Sequence, residues 1–207
     1  MKNIDSKLYV NEKLLKDKFN KLYKICRSIL GEGFRDSLNI IGEIVDLKKK
    51  YVKSGTNVLD WTVPDEWNIK DGHIIDPKGK KIASFKSHSL HIVNYSTPVN
   101  KILDLKELKK KIYTLPDLPN AIPYVTSYYK RDWGFCMTHN QFKKLIPGKY
   151  RVFIDSEIKP GNLVYSDTLI KGKSKKEILL STYLCHPQMA NHELSGPLAW
   201  SIIYKII

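Results

Sequence analysis

Two imidazoles and a carboxylate fall within eight residues of this chain: His186, His192 and Glu193, in Cys185-His-Pro-Gln-Met-Ala-Asn-His-Glu-Leu-Ser-Gly196. Imidazole nitrogens and carboxylate oxygens are donors that zinc accepts. The step of six residues between the histidines lets both converge on one ion through a loop, without the fixed geometry of His-Glu-x-x-His on a helix. On spacing alone His186 reads equally as a ligand or as a hydrogen-bonded structural histidine, and His192 leans to the structural role. Ser195 lacks a Gly-x-Ser-x-Gly elbow and reads as a helix cap. Cys185, beside His186 on a strand, is expected to point to the opposite face as a small core residue.

The elements around this loop must position it. Ile178-Leu179-Leu180 reads as a buried strand, and Leu198, Ala199, Trp200, Ile202 and Ile203 suit a buried helix. A strand that ends in polar residues and turns into a helix is where an open α/β sheet places its chemistry. Upstream, Leu15, Phe19, Leu22, Cys26 and Ile29 line one face of a helix over 8–30 that stops at Gly31 and Gly33. A second helix fits 36–50, with Leu38, Ile41, Ile44 and Val45 inward and lysines in its last turn.

From Val58 the texture is β. Asp76-Pro-Lys-Gly79 joins strands at 72–75 and 81–85 as a hairpin, and Leu90–Tyr95 alternates like a strand. Asp104 can cap a short helix over 105–112, another short helix fits 141–145, and strands are expected at 150–154 and 163–170. The order predicts an α/β domain split by a β-rich insertion, with segments 1–59, 60–149 and 150–207.

The stretch Tyr124–Cys136 is rich in aromatics. Tyr128, Tyr129 and Trp133 would line a carbohydrate- or peptide-binding cleft or plug the space between modules. Arg131-Asp132 reads as a local ion pair or a substrate contact, and His91 as a satisfied sheet residue. Thirty-five lysines and arginines against 21 acids give a net charge of +14. The lysines are scattered and no nucleic-acid-binding signature accompanies them, so specific nucleic-acid recognition ranks last. Three distant cysteines exclude a disulfide framework. With neither a signal peptide nor a membrane span expected, the cytoplasm is the default compartment.

Several stretches together carry a resemblance. Ser181-Thr-Tyr-Leu-Cys-His-Pro-Gln-Met-Ala-Asn-His-Glu-Leu-Ser-Gly-Pro197 resembles the metal-site segment of bacterial aminopeptidase-like proteins of the DUF4910 and DUF2172 type. Asp60–Trp67, Ser89–Pro98, Ile122–Tyr129 and Trp133–Cys136 match the same family in order. The resemblance implies distant kinship with zinc-dependent M28 aminopeptidases, and for some members a link to polysaccharide biosynthesis. It implies a phosphorylase/hydrolase-like α/β core with a small β-rich insertion, and one or two zinc ions. His186 would be the first ligand. The family's bridging aspartate, in Ala-Asn-Asp-Asn-x-Ser-Gly, is replaced by His192, and the asparagine after it by Glu193. A histidine bridges two ions less readily than a carboxylate, and Glu193 would serve only if the loop shifts. A Glu-Glu pair, an aspartate and a last histidine follow this point in the family. The chain is therefore expected to be a truncated, catalytically incomplete form that retains zinc weakly. The implied substrate is a peptide or small amide, with a glycan-linked one included, and association into homo-oligomers is a further expectation.

Overall fold

Leu22 is fully buried, and Leu15, Phe19 and Tyr23 pack beside it, which turns one stripe of the first helix inward. The computed structural model describes residues 12–207, so the part of the expected 8–30 helix before Glu12 lies outside the described residues. Along the chain come α1 (Glu12–Lys24), α2 (Glu32–Gly42), β1 (Lys48–Lys53), β2 (Asn57–Val58) and β3 (Trp61–Thr62). Then follow β4 (Glu66–Ile75), β5 (Lys81–Ile82), β6 (Val99–Asp104), α3 (Leu105–Lys109), β7 (Ile112–Tyr113), β8 (Phe135–Cys136) and α4 (His139–Lys143). The last elements are β9 (Lys149–Lys159), β10 (Asn162–Asp167) and α5 (Ser195–Ile206). The described residues make a mixed α/β chain in two compact units, 12–63 with 162–207 and, between them in sequence, 64–161.

The first unit packs α1, α2 and α5 around Leu22, Ile41, Val45, Leu184, Leu194 and Leu198. The first helix ends at Lys24, six residues before the expected Leu30, so residues 25–30 form a connection rather than a last turn. That connection passes so close to α2 that a Cβ on Gly33 would collide with the Cys26 carbonyl. The lysine run 48–50 is not the end of a helix: α2 stops at Gly42, and the run lies in β1, paired antiparallel with β10. Pairing with a partner strand overrides the helical charge pattern.

The expected strand at Ile178–Leu180 does not form. These residues adopt no regular structure, and Ile178 and Leu179 are 91% and 88% exposed. A buried strand needs neighbours to pair with, and β1 and β10 pair only with each other among the described strands.

In the second unit, β5-β4-β9-β6 form an antiparallel sheet. Tyr150, Val152 and Ile154 alternate on β9 and point into a core with Ile74, Val99, Leu108, Phe135 and Met137. Because β9 pairs with both β4 and β6, it belongs wholly to this unit. The second boundary therefore falls at 161/162, beyond the 149/150 read from sequence. The hairpin turn forms as expected, with Gly79 N donating to Asp76 O at 2.9 Å and Gly79 at φ 80°. Asp104 caps α3 by accepting from Glu107 N. Leu90–Tyr95 is not a strand: a 3₁₀ turn over Ser89–His91 leads into single bridges at Ile92 and Asn94. All six of these residues are buried, so no polar face exists for alternation to mark.

Candidate metal centre

The loop 184–194 is anchored at both ends by apolar side chains, Leu184 and Leu194, in the core of the first unit. Between them Pro187 is buried and Gln188 takes a left-handed conformation, φ 47°, that reverses the chain. A widened turn over Ala190–Leu194, with π-helical hydrogen bonding, then runs directly into α5. Insertions of this kind rotate the side chains that follow, and here Glu193 faces inward while His192 is left exposed.

Glu193 is 1% exposed and meets His186 directly, Nδ1 of the imidazole against Oε1. Its other oxygen, Oε2, accepts from the Cys185 backbone N–H at 2.7 Å. Burial alone would raise the Glu193 carboxyl, but the bonds from His186 and Cys185 and the imidazole's charge outweigh it, so the carboxyl lies below its ordinary range and is ionised. Cys185 Sγ lies 3.4 Å from His186 Nδ1 and 3.8 Å from Glu193 Oε1. Burial, with Glu193 beside it, pushes the thiol up to about 12.

These three side chains offer one donor each, all within 4.8 Å of one another, the spacing of groups that share an ion. Nitrogen, oxygen and sulfur are all zinc donors, and tetrahedral zinc with bonds of about 2.0–2.3 Å holds its ligands roughly 3.5 Å apart. The donor set fits the metal that the resemblance implies, with the direct His186–Glu193 contact giving way to it. Cys185 was expected on the opposite face. It lies beside His186 because residues 175–185 are not a strand and side-chain alternation does not apply.

His192 stands at the rim. Its ring is tilted against His186 with centroids 5.4 Å apart, and its Nδ1 is 3.5 Å from the Tyr183 hydroxyl. Ser195 does not cap α5: its hydroxyl donates back to Asn191 O, and no side chain caps the helix. Arg27, which sequence spacing did not single out, reaches the loop from the connection that follows α1 and donates through Nε to the His186 carbonyl at 3.1 Å.

In the second unit the aromatic candidates divide. Tyr128 and Tyr129 meet edge to face at 4.4 Å, with Tyr128 against Tyr95 and Tyr129 81% exposed. Trp133 instead packs on Phe135 at the core, under Lys111. Arg131 and Asp132 do not pair with each other: Arg131 bonds Asp65, and Asp132 bonds Lys111. His91 is satisfied as expected, but in the 3₁₀ turn, its Nδ1–H donating to Cys136 O at 2.8 Å.

Residues 66–157 match the family described as Domain of unknown function (DUF2172). The chain is 47% identical over 187 residues to a Clostridium acetobutylicum protein described as "Putative polysaccharide biosynthesis protein with aminopeptidase-like domain". That match covers 90% of this chain and 43% of the relative. A crystal structure described as a "putative peptidase" from Clostridium acetobutylicum superposes with a TM-score of 0.89 at 46% identity. It covers 92% of this chain and 45% of that one. The chain is thus similar to the DUF2172 family over 66–157 and to proteins described as aminopeptidase-like, as the resemblance implied, and it spans less than half the length of these relatives. Among the described residues no helix is long and apolar enough to cross a membrane.

Proposed function

We propose that residues 185–193 form part of the metal centre of an aminopeptidase-like hydrolase of the M28 type, in which His186 and Glu193 hold zinc and Cys185 is the third donor. The observation that carries this reading is the convergence of three unlike donors on one point at the end of a loop anchored in an apolar core. Zinc bound there supplies Lewis-acid polarisation of a scissile carbonyl and a water acidic enough to attack at neutral pH. The chain's own contribution is to orient the donors. Glu193 sets the His186 ring by direct contact, and its Oε2 is held by the Cys185 N–H. Leu184 and Leu194 keep water from the inner side of the loop.

The substrate class we propose is a peptide or a small amide with a free amino end, glycan-linked substrates included, and the overall architecture a phosphorylase/hydrolase-like core. The high similarity to a structure described as a "putative peptidase" supports this. The compartment we propose is a reducing cytoplasm, in keeping with three cysteines placed far apart in the sequence. A cobalt(II) titration followed by visible absorption tests the donor set. We expect a sulfur-to-cobalt charge-transfer band that vanishes in Cys185→Ser and loss of the whole spectrum in His186→Ala. Featureless titrations would overturn the site. Cleavage of aminoacyl amides by the Clostridium acetobutylicum relative, abolished when the residue aligned with His186 is replaced by alanine, tests the hydrolytic step. Cleavage that survives the replacement would contradict it.

A further inference from the structure

Arg27 heads the fully buried side chains by size among the described residues, with 0% exposure. A buried guanidinium is retained only where oxygens and an opposite charge surround it, because an apolar side chain of similar size would fill the space at less cost. Its surroundings come from three separate stretches. Nη1 donates to Leu22 O, a carbonyl of the last turn of α1 that also accepts from Ile25 N at 3.2 Å, and to Ser37 Oγ on α2 at 3.4 Å. Nε donates to the His186 carbonyl at 3.1 Å. The charge that faces it is Glu193, the acid in contact with the His186 ring. Ser37 is itself held, its hydroxyl donating to Gly33 O at 2.7 Å.

We infer that Arg27 is a positioning residue for the His186–Glu193 pair: it clamps the His186 backbone to the end of α1 and sets a positive charge behind the Glu193 carboxylate. The functional consequence rests on the metal-centre reading above, while the clamp itself does not. Lysine cannot replace it, since one ammonium nitrogen does not reach Leu22 O, Ser37 Oγ and His186 O in the directions a planar fork does. Removal of a residue that orients ligands from behind commonly weakens metal binding by about 10- to 100-fold.

The test compares wild type, Arg27→Lys and Arg27→Met in three measurements: zinc affinity by chelator competition, thermal midpoint, and amide hydrogen exchange of the zinc-free protein. The informative amide is that of Cys185, which bonds Glu193 Oε2. In Arg27→Lys we expect zinc affinity to fall about 10- to 100-fold. We also expect the Cys185 amide to exchange at least about tenfold faster, while amides within α5 keep their protection. Wild-type affinity and Cys185 protection in Arg27→Lys would overturn the inference. So would an equal loss of protection throughout α5, which marks a merely structural role. Should Arg27→Met fail to fold, Arg27→Lys decides alone. Should the wild-type protein take up no zinc, the metal-centre reading falls and the exchange measurement still decides for or against the clamp.

Discussion

A carboxylate with no exposed side-chain surface is held in place by the charges and donors around it, and Glu193 has three: the His186 imidazole, the Cys185 N–H and the Arg27 guanidinium. Burial pulls Arg27 down to about 10, Glu193 pushing the other way, so the guanidinium still carries its charge at neutral pH. Truncating Glu193 to alanine leaves that charge buried without its counter-charge, and we expect a loss of about 3–5 kcal/mol in urea unfolding. Glu193→Gln, which removes the same counter-charge but keeps an acceptor for the Cys185 N–H, should cost nearly as much, and a loss in it far below that of the alanine variant would contradict the charge argument. Two of the residues at this centre, His186 and Glu193, were legible as donor types at loop spacing. Cys185 was not, because strand alternation was applied to a stretch that is not a strand. Arg27 was hidden for a related reason: inside an uninterrupted helix over 8–30 it falls between apolar positions, and only the break after Lys24 turns it inward.

Elements were readable where a local rule was also the global one. The proline–glycine turn at 76–79 and the Asp104 cap depend on a few adjacent residues, and both form as written. The lysine run of β1 and the apolar run at 178–180 depend on distant partners, present in the first case and absent among the described residues in the second. On β9 the alternation of Tyr150, Val152 and Ile154 is the packing of the sheet itself. Ile154→Ala should therefore destabilise the second unit by about 2–5 kcal/mol, whereas Ile102→Ala, on an exposed position of β6, should change it by no more than about 0.5 kcal/mol. Urea midpoints of the two variants decide this. For the 178–180 run, Leu179→Ser should leave stability within about 0.5 kcal/mol of wild type, and a large loss would show that the run is packed.

At the scale of the molecule, two compact units divide the chain, and each has its own apolar core. Folding of the second unit should be sensitive to acid through its histidines. Burial lowers His73, His88 and His91 from the ordinary value of 6.5, with Lys81 adding to the effect at His73 and His91 at His88. Below that value the unfolded chain takes up protons that the folded unit resists. Stability is therefore fully present above about pH 6.5 and is lost as pH falls through the lowered range. Urea midpoints from pH 7.5 down to 5.0 (roughly the span over which histidine titrates) should decline, and His91→Gln should flatten the decline. A midpoint that does not move would contradict this account.

The central claim is that His186 and Glu193 hold a metal ion, and zinc titration of the protein monitored by competition with a chromophoric chelator tests it most directly. The account predicts one saturable site, with affinity reduced at least about a hundredfold in His186→Ala and in Glu193→Gln. Absence of uptake, or uptake that both variants leave unchanged, would contradict it.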